Sequence, residues 1–156
     1  MIKRKQLTRE KALERARSYC RYQRRSRSEV NQKLYSFALR KKDVEELTAQ
    51  LIAENYLNEE DFAVAFARGK FRMKQWGKVK ITFELKLKKV SNAYISKALK
   101  EIDPDEYRQT LQKLAARKLT SLKNIENIFL QKRKLQDYLI QKGFENELVK
   151  IIVSAI

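Results

Sequence analysis

The sequence predicts an all-α protein, an elongated and curved array of three tandem three-helix repeats with nine helices in all. Three observations predict it. Breakers are scarce, with three Gly (Gly69, Gly77, Gly143) and one Pro (Pro104) in 156 residues, which favours helices joined by short connections. Apolar residues recur at three- and four-residue spacing along most of the chain. The resulting stripes themselves recur with a period of about fifty residues.

A first helix is expected from about Thr8 to Arg24, with Leu13, Ala16 and Cys20 inward and Arg15, Arg17 and Arg21 off the stripe. Ser26-Arg27-Ser28-Glu29 reads as a capping box opening a second helix with Val30, Leu34 and Phe37 inward. Asp43-Val44-Glu45-Glu46 starts a third, which buries Val44, Leu47 and Leu51 and stops where Asn55 turns left-handed. Asn58-Glu59-Glu60-Asp61 starts a fourth, with Phe62 and Phe66 one turn apart; it is expected to reach Trp76 and end at Gly77. The fifth presents Ile81 and Leu85, and the sixth opens at Ser91 with Ile95, Leu99 and Ile102 inward. Asp103-Pro104-Asp105-Glu106 is the strongest start signal, with Asp at N-cap and Pro at the first helical position. The seventh helix carries Tyr107, Leu111, Leu114, the stem of Lys118 and Leu122. After a connection at Asn124–Asn127, the eighth buries Leu135 and Leu139 and stops at Gly143, and the ninth turns Leu148, Ile151 and Ile152 inward.

The middle helices of the triplets align as Val30-x3-Leu34, Ile81-x3-Leu85 and Leu135-x3-Leu139, at offsets of 51 and 54. The third helices align through Leu47-x3-Leu51, Ile95-x3-Leu99 and Leu148-x3-Ile152. The first align more loosely, through Leu13, Phe62-x3-Phe66 and Tyr107-x3-Leu111. The repeats are therefore expected at residues 1–57, 58–102 and 103–156. One such unit is too small for a secure core, so neighbours are expected to stack.

Composition narrows the function. There is no His, which removes His-based triads and His–zinc sites, and a single Cys excludes an intrachain disulfide or a thiolate cage. No Gly-rich phosphate loop can be built, and no cofactor is expected. The basic start, Met1–Lys5, is followed by no apolar stretch, so neither export nor a membrane span is expected. The net charge is +17, from 36 Lys and Arg against 19 Asp and Glu, and leans toward the first two thirds. A field of that size draws polyanions and keeps copies apart, so a monomer is expected. Its plain alternative is the solvated surface of a Lys-rich helical protein.

Three motifs stand in order along the chain. The central one is Tyr56-Leu57-Asn58-Glu59-Glu60-Asp61-Phe62-Ala63, then Phe66-Ala67-Arg68, Trp76-Gly77-Lys78-Val79-Lys80-Ile81 and Glu84-Leu85. Arg25-x-Arg27-Ser28-x-Val30-x3-Leu34 precedes it and Tyr138-Leu139-x2-Lys142-Gly143-Phe144 follows it. Together they resemble the central, first-repeat and third-repeat motifs of the RecX family, bacterial regulators of the RecA recombinase. Two departures stand out. Lys88-Lys89-Val90 lacks the Gly with which the family often ends that helix, so this end is expected to differ. Asn58-Glu59 replaces an acidic pair, though Asn still caps a helix. The resemblance implies an all-helical, non-enzymatic, cytoplasmic protein. It implies binding along the groove of the RecA filament on single-stranded DNA and inhibition of its ATPase, coprotease and strand-exchange activities. It thereby implies a role in homologous recombination, DNA repair and the SOS response, with direct DNA contact in some members.

Two basic clusters are the candidate partner or DNA contacts: Arg21, Arg24, Arg25 and Arg27, and then Arg68, Lys70, Arg72, Lys74, Lys78 and Lys80 around Trp76. Arg offers a bidentate fork for phosphate or carboxylate, yet cations at a helix C-terminus also favour its dipole. Trp76 either stacks a base or packs. Leu34, Phe62, Phe66, Gly77, Ile81, Leu85 and Leu139 read as fold-determining, and Lys86, Lys88 and Lys89 as a solvated face. Glu59, Glu60 and Asp61, like Asp103, Asp105 and Glu106, fall at helix starts where carboxylates favour the dipole, which argues against a metal site. Cys20 reads as a small apolar core residue. The competing functional reading is an autonomous DNA-binding architectural protein. A third, an enzyme, lacks a nucleophile constellation.

Overall fold

The computed structural model describes residues 5–156; the basic start at Met1–Arg4 lies outside them. The described residues form nine α-helices and no strand: α1 (Arg9–Tyr22), α2 (Arg27–Tyr35), α3 (Lys41–Ala53), α4 (Glu59–Gly69), α5 (Lys78–Leu87), α6 (Asn92–Lys100), α7 (Pro104–Ser121), α8 (Ile128–Gln141) and α9 (Asn146–Ser154). None of these helices is long and apolar enough to cross a membrane.

Most helices begin where a polar side chain meets an orphan amide. Thr8 accepts from the Lys11 N–H, Asn58 from Asp61, Ser91 from Tyr94 and Asp103 from Glu106. The Ser26–Glu29 capping box is complete, at 3.1 and 3.2 Å. Asn127 caps α8. The third helix departs from expectation. It begins before Asp43, with Arg40 at the N-cap and no side-chain cap, because Asp43 turns instead to Arg9 of α1, 2.9 Å away.

The middle helix of each triplet ends on a left-handed residue at the same register: Ala38 (φ 62°), Lys89 (φ 61°) and Gly143 (φ 98°). Each is followed by a buried apolar residue, Leu39, Val90 or Phe144. The Val90 N–H donates to the Leu85 carbonyl and that of Phe144 to the Leu139 carbonyl. The expected difference at Lys88-Lys89-Val90 is therefore corrected: Lys89 itself takes the glycine conformation, held by that bond and by the burial of Val90. Asn55, at the end of α3, is left-handed as expected (φ 67°).

The end of the fourth helix also needs correction. It does not run to Trp76. It passes at Lys70 into a π-helical turn, Lys70–Lys74, that turns Phe71 into the core, and leaves through Gln75 at φ 58°. Gly77 does not stop this helix. It allows contact: a Cβ there would lie 2.3 Å from the Gly143 carbonyl and 2.4 Å from the Phe144 nitrogen.

The described residues divide into two compact units, one comprising residues up to Ala65 with Leu85–Ile95, the other Phe66–Glu84 with Ser96–Ile156. In the first, α1, α2 and α3 pack on one another around Val30, Leu34, Leu47 and Leu51. Ala12 and Ala16 are fully buried and let α1 approach closely, so the predicted Leu13 and Cys20 sit at the edge, partly buried. In the second, α8 packs on α7 and α9, and Tyr107 lies between Phe71 and Phe144, with centroids 5.6 and 5.3 Å away. Ile81 and Leu85 of α5 and Leu135 and Leu139 of α8 are wholly buried. Along α6, Ala98 joins Ile95 and Ile102 inward and Leu99 is half-buried. The inward set of α9 is corrected too: Val149 is fully buried, while Ile151 is 67% exposed. Its apolar residues form one broad face opposite Asn146, Glu147, Lys150 and Ser154, and Ile151 lies at the edge of that face beside Glu147, so Val149 and not Ile151 reaches the core.

Candidate functional site

The first basic cluster divides in the structure. The Arg25 Nε donates to the Tyr19 carbonyl at 3.0 Å, its guanidinium stacks 3.7 Å from the centre of the Tyr19 ring, and it approaches Glu29 at 3.9 Å. Arg25 therefore holds the α1–α2 connection. Arg21 lies over Tyr56, 5.4 Å from the ring centre. Arg24 and Arg27 are exposed. Arg24 lines a cleft of 380 Å³ with Cys20, Asn55, Tyr56 and Asp61. The Arg27 backbone N–H bonds the Glu59 carboxyl, which burial nevertheless raises above its ordinary range.

The second cluster gathers at the start of α5. Three amides there have no partner within the helix. They are met from outside it: the Gly77 N–H by the Lys142 carbonyl at 2.8 Å, the Lys78 N–H by the Tyr107 hydroxyl at 2.9 Å, and the Val79 N–H by the Gly143 carbonyl at 2.9 Å. The Tyr107 hydroxyl in turn donates to Glu145, and burial followed by that bond drives the phenol well above its ordinary range. This node sets the lysines. Lys70 and Lys80 lie 5.1 and 4.7 Å from the Trp76 ring centre, and Phe66 meets that ring edge-on at 6.4 Å. Lys78 lies 4.9 Å from the Tyr107 ring. Arg72 approaches Glu106 at 3.7 Å, and Arg68 is exposed.

Lys142 was not among the expected contacts, and the structure adds it. Its Nζ donates to the Lys74 carbonyl at 2.7 Å. Burial first, then the charges of Lys80 and Lys74, lower its pKa. Among the described residues no carboxylate pairs with any of these three lysines, so an incoming anion would relieve their repulsion.

A larger feature, also unexpected, lies along α1 and α2: a groove of 800 Å³ lined by Lys11, Glu14, Arg15, Tyr19, Tyr22, Arg25, Lys33 and Phe37. Cations and rings alternate in it. Arg15 and Lys33 lie 5.9 and 5.7 Å from the Phe37 ring, Lys33 lies 5.3 Å from Tyr19, and Arg25 lies 5.9 Å from Tyr22. Tyr22 is 83% exposed. With Arg25 already held by Tyr19 and Glu29, Lys11, Arg15 and Lys33 face one lining carboxylate, Glu14, an arrangement suited to phosphates with bases stacked between them. The signal is present as Lys11, Arg15 and Tyr19 at four-residue spacing, a row that the apolar stripe of the helix does not pick out.

The acidic sets occupy helix starts. Asp103 caps α7, Asp61 receives its cap from Asn58, and Glu106 faces Arg72. Among the described residues no group of three His, Cys, Asp or Glu side chains is placed to hold a metal ion. Cys20 is half-buried, and burial raises its thiol pKa against a smaller opposing pull from Arg25.

Comparison with known proteins bears on most of the chain. The family model described as RecX, second three-helix domain, matches residues 58–99, and that for the third three-helix domain matches residues 105–153. The Regulatory protein RecX of Bacillus cytotoxicus is 31% identical over 143 residues, covering 91% of this chain and 52% of the relative. That of Oceanobacillus iheyensis is 28% identical over 134 residues, covering 85% and 48%. The chain thus spans about half the length of the curated relatives it matches. Among solved structures, RecX from Lactobacillus salivarius superposes with a TM-score of 0.84 at 22% identity, covering 94% of this chain and 95% of that one. A second crystal structure of regulatory protein RecX gives 0.83 at 24%, covering 92% and 70%. At these identities the structural likeness establishes the fold.

Proposed function

Because the chain belongs to the RecX family of regulatory proteins, we propose that it binds the RecA filament on single-stranded DNA and restrains its ATPase, coprotease and strand-exchange activities. On this reading it is a cytoplasmic modulator of recombination and of the damage response. The observation that carries the reading beyond the family name is the α1–α2 groove, with its cations, exposed Tyr22 and single carboxylate. A filament displays a long polyanionic track, and a chain of net charge +17 is steered toward it. The lysines at Trp76 add a second basic surface of the same kind.

The test is single-strand-dependent ATP hydrolysis by the cognate recombinase, titrated with this protein at substoichiometric ratios. Wild type is expected to inhibit strongly. The exposed pair Lys11→Glu with Arg15→Glu is expected to require about tenfold more protein, since each lost phosphate contact weakens binding and both changes add like charge. Absence of inhibition, together with tight and salt-sensitive binding to bare duplex, would overturn this reading in favour of the architectural one.

A further inference from the structure

A second groove is separate from the α1–α2 face. It lies in the second unit between α7 and α9 and encloses 400 Å³. Its walls are Leu111, Leu148, Ile151 and Ile152, and Tyr107 lines it beneath them. The polar atoms at its base are already satisfied, because the Tyr107 hydroxyl accepts from the Lys78 N–H and donates to Glu145. The groove is therefore open to apolar matter without stranding a polar group. Ile151, at 67% exposure, is apolar surface that the packing of α9 leaves uncovered while Val149 is wholly buried.

The charges around the groove indicate what covers it. Lys78 and Arg108 line it against one carboxylate, Glu145, which Tyr107 engages, and the exposed Arg108 makes only a long, solvated approach to Asp105 at 4.0 Å. An apolar trough with a positive rim is complementary to an apolar side chain flanked by carboxylates. It is poorly suited to nucleic acid, since its one ring, on Tyr107, is buried and offers no stacking face. It is poorly suited to a second copy, since two chains of net charge +17 would bring basic rims together.

We propose that the α7–α9 groove docks an amphipathic protein segment with acidic flanks. The assignment rests on the filament reading, in which that segment belongs to a recombinase subunit. The groove would then supply the protein contact and the α1–α2 face the nucleic-acid contact.

The test uses the full chain with Ile151→Glu, a change at an exposed position expected to leave circular dichroism and Tm near wild type. A second variant, Arg108→Glu, alters only the rim. Two readouts are taken together: inhibition of the filament ATPase, and binding of each protein to a bare oligo-dT strand. The expected result is wild-type affinity for oligo-dT with inhibition weakened roughly tenfold or more by Ile151→Glu, since an apolar anchor is lost and a charge is placed in its trough. Arg108→Glu is expected to weaken inhibition severalfold. Equal inhibition by wild type and Ile151→Glu overturns the groove assignment and leaves the filament reading standing. A parallel loss of oligo-dT binding also overturns it, since the effect is then general. No inhibition by wild type overturns both. A concentration-dependent dimer in wild type that Ile151→Glu abolishes gives the groove to a second copy and overturns the proposal.

Discussion

Single residues carry unequal loads at equivalent positions. Ala38, Lys89 and Gly143 share a left-handed backbone, yet only glycine adopts it without a steric penalty. Lys89→Gly is therefore expected to stabilise the protein by about 1 kcal/mol, raising Tm by roughly 2–4 °C in a thermal melt. Gly143→Ala is expected to cost about 2–3 kcal/mol by urea unfolding, because a Cβ there lies 2.2 Å from the Lys80 Cβ in addition to the strained φ. Glu59 bears on pH. Its folded carboxyl pKa is raised by burial, against smaller pulls from the Arg27 N–H and charge. As pH climbs past the unfolded value of about 4.3, the unfolded chain gives up this proton first and the folded form loses stability through the raised value. Glu59→Gln lacks that loss. Its stability relative to wild type is expected to be greater at about pH 7 than at about pH 3.5 in urea melts; an equal difference at both values would refute the assignment.

At the scale of elements, helix starts followed local chemistry closely. Ser26 with Glu29, Asn58, Ser91 and Asp103 each act on amides within three residues, so the chain needs nothing distant to place them. The start of α5 is different in kind. Its amides are satisfied by Lys142, Gly143 and Tyr107, which lie 29 or more residues away. Tyr107→Phe removes the acceptor of the Lys78 N–H and the donor to Glu145. It is expected to cost about 1–3 kcal/mol, read by chemical denaturation, with loss of near-ultraviolet signal from the second unit first. Gly77 stands in the sequence as a helix stop, whereas in the structure it permits close backbone contact. Its role depends on the backbone of Gly143, which no local pattern announces. The π-helical turn was hidden for a related reason: Lys70–Lys74 reads as helix, and the inward demand of Phe71 decides the extra residue.

For the whole molecule the governing quantity is the net charge of +17. If the α1–α2 face and the lysines at Trp76 cover about five phosphates on a single strand, the log–log salt slope of binding is about −3.5. Fluorescence anisotropy on oligo-dT across a salt series measures it. A slope near zero would remove the phosphate contacts from the account. The basic candidates were visible as a list of residues, but their allocation was not. Arg25 is engaged by Tyr19 and Glu29, whereas Lys142, unremarked as a contact, joins Lys74 and Lys80.

The sequence by itself determined the helical class, the nine stripes, their recurrence and most of the caps. These depend on neighbours three, four or about fifty positions away, and such spacings are written in the order of residues. Tertiary structure decided how far around each apolar face burial extends, as with α1, where Ala12 and Ala16 are buried and Leu13 and Cys20 stay at the edge. It also decided which cations are engaged by rings and carboxylates and which stand open, and it built the α1–α2 and α7–α9 grooves. Those outcomes depend on distances between residues that no periodicity relates, and only packing sets them.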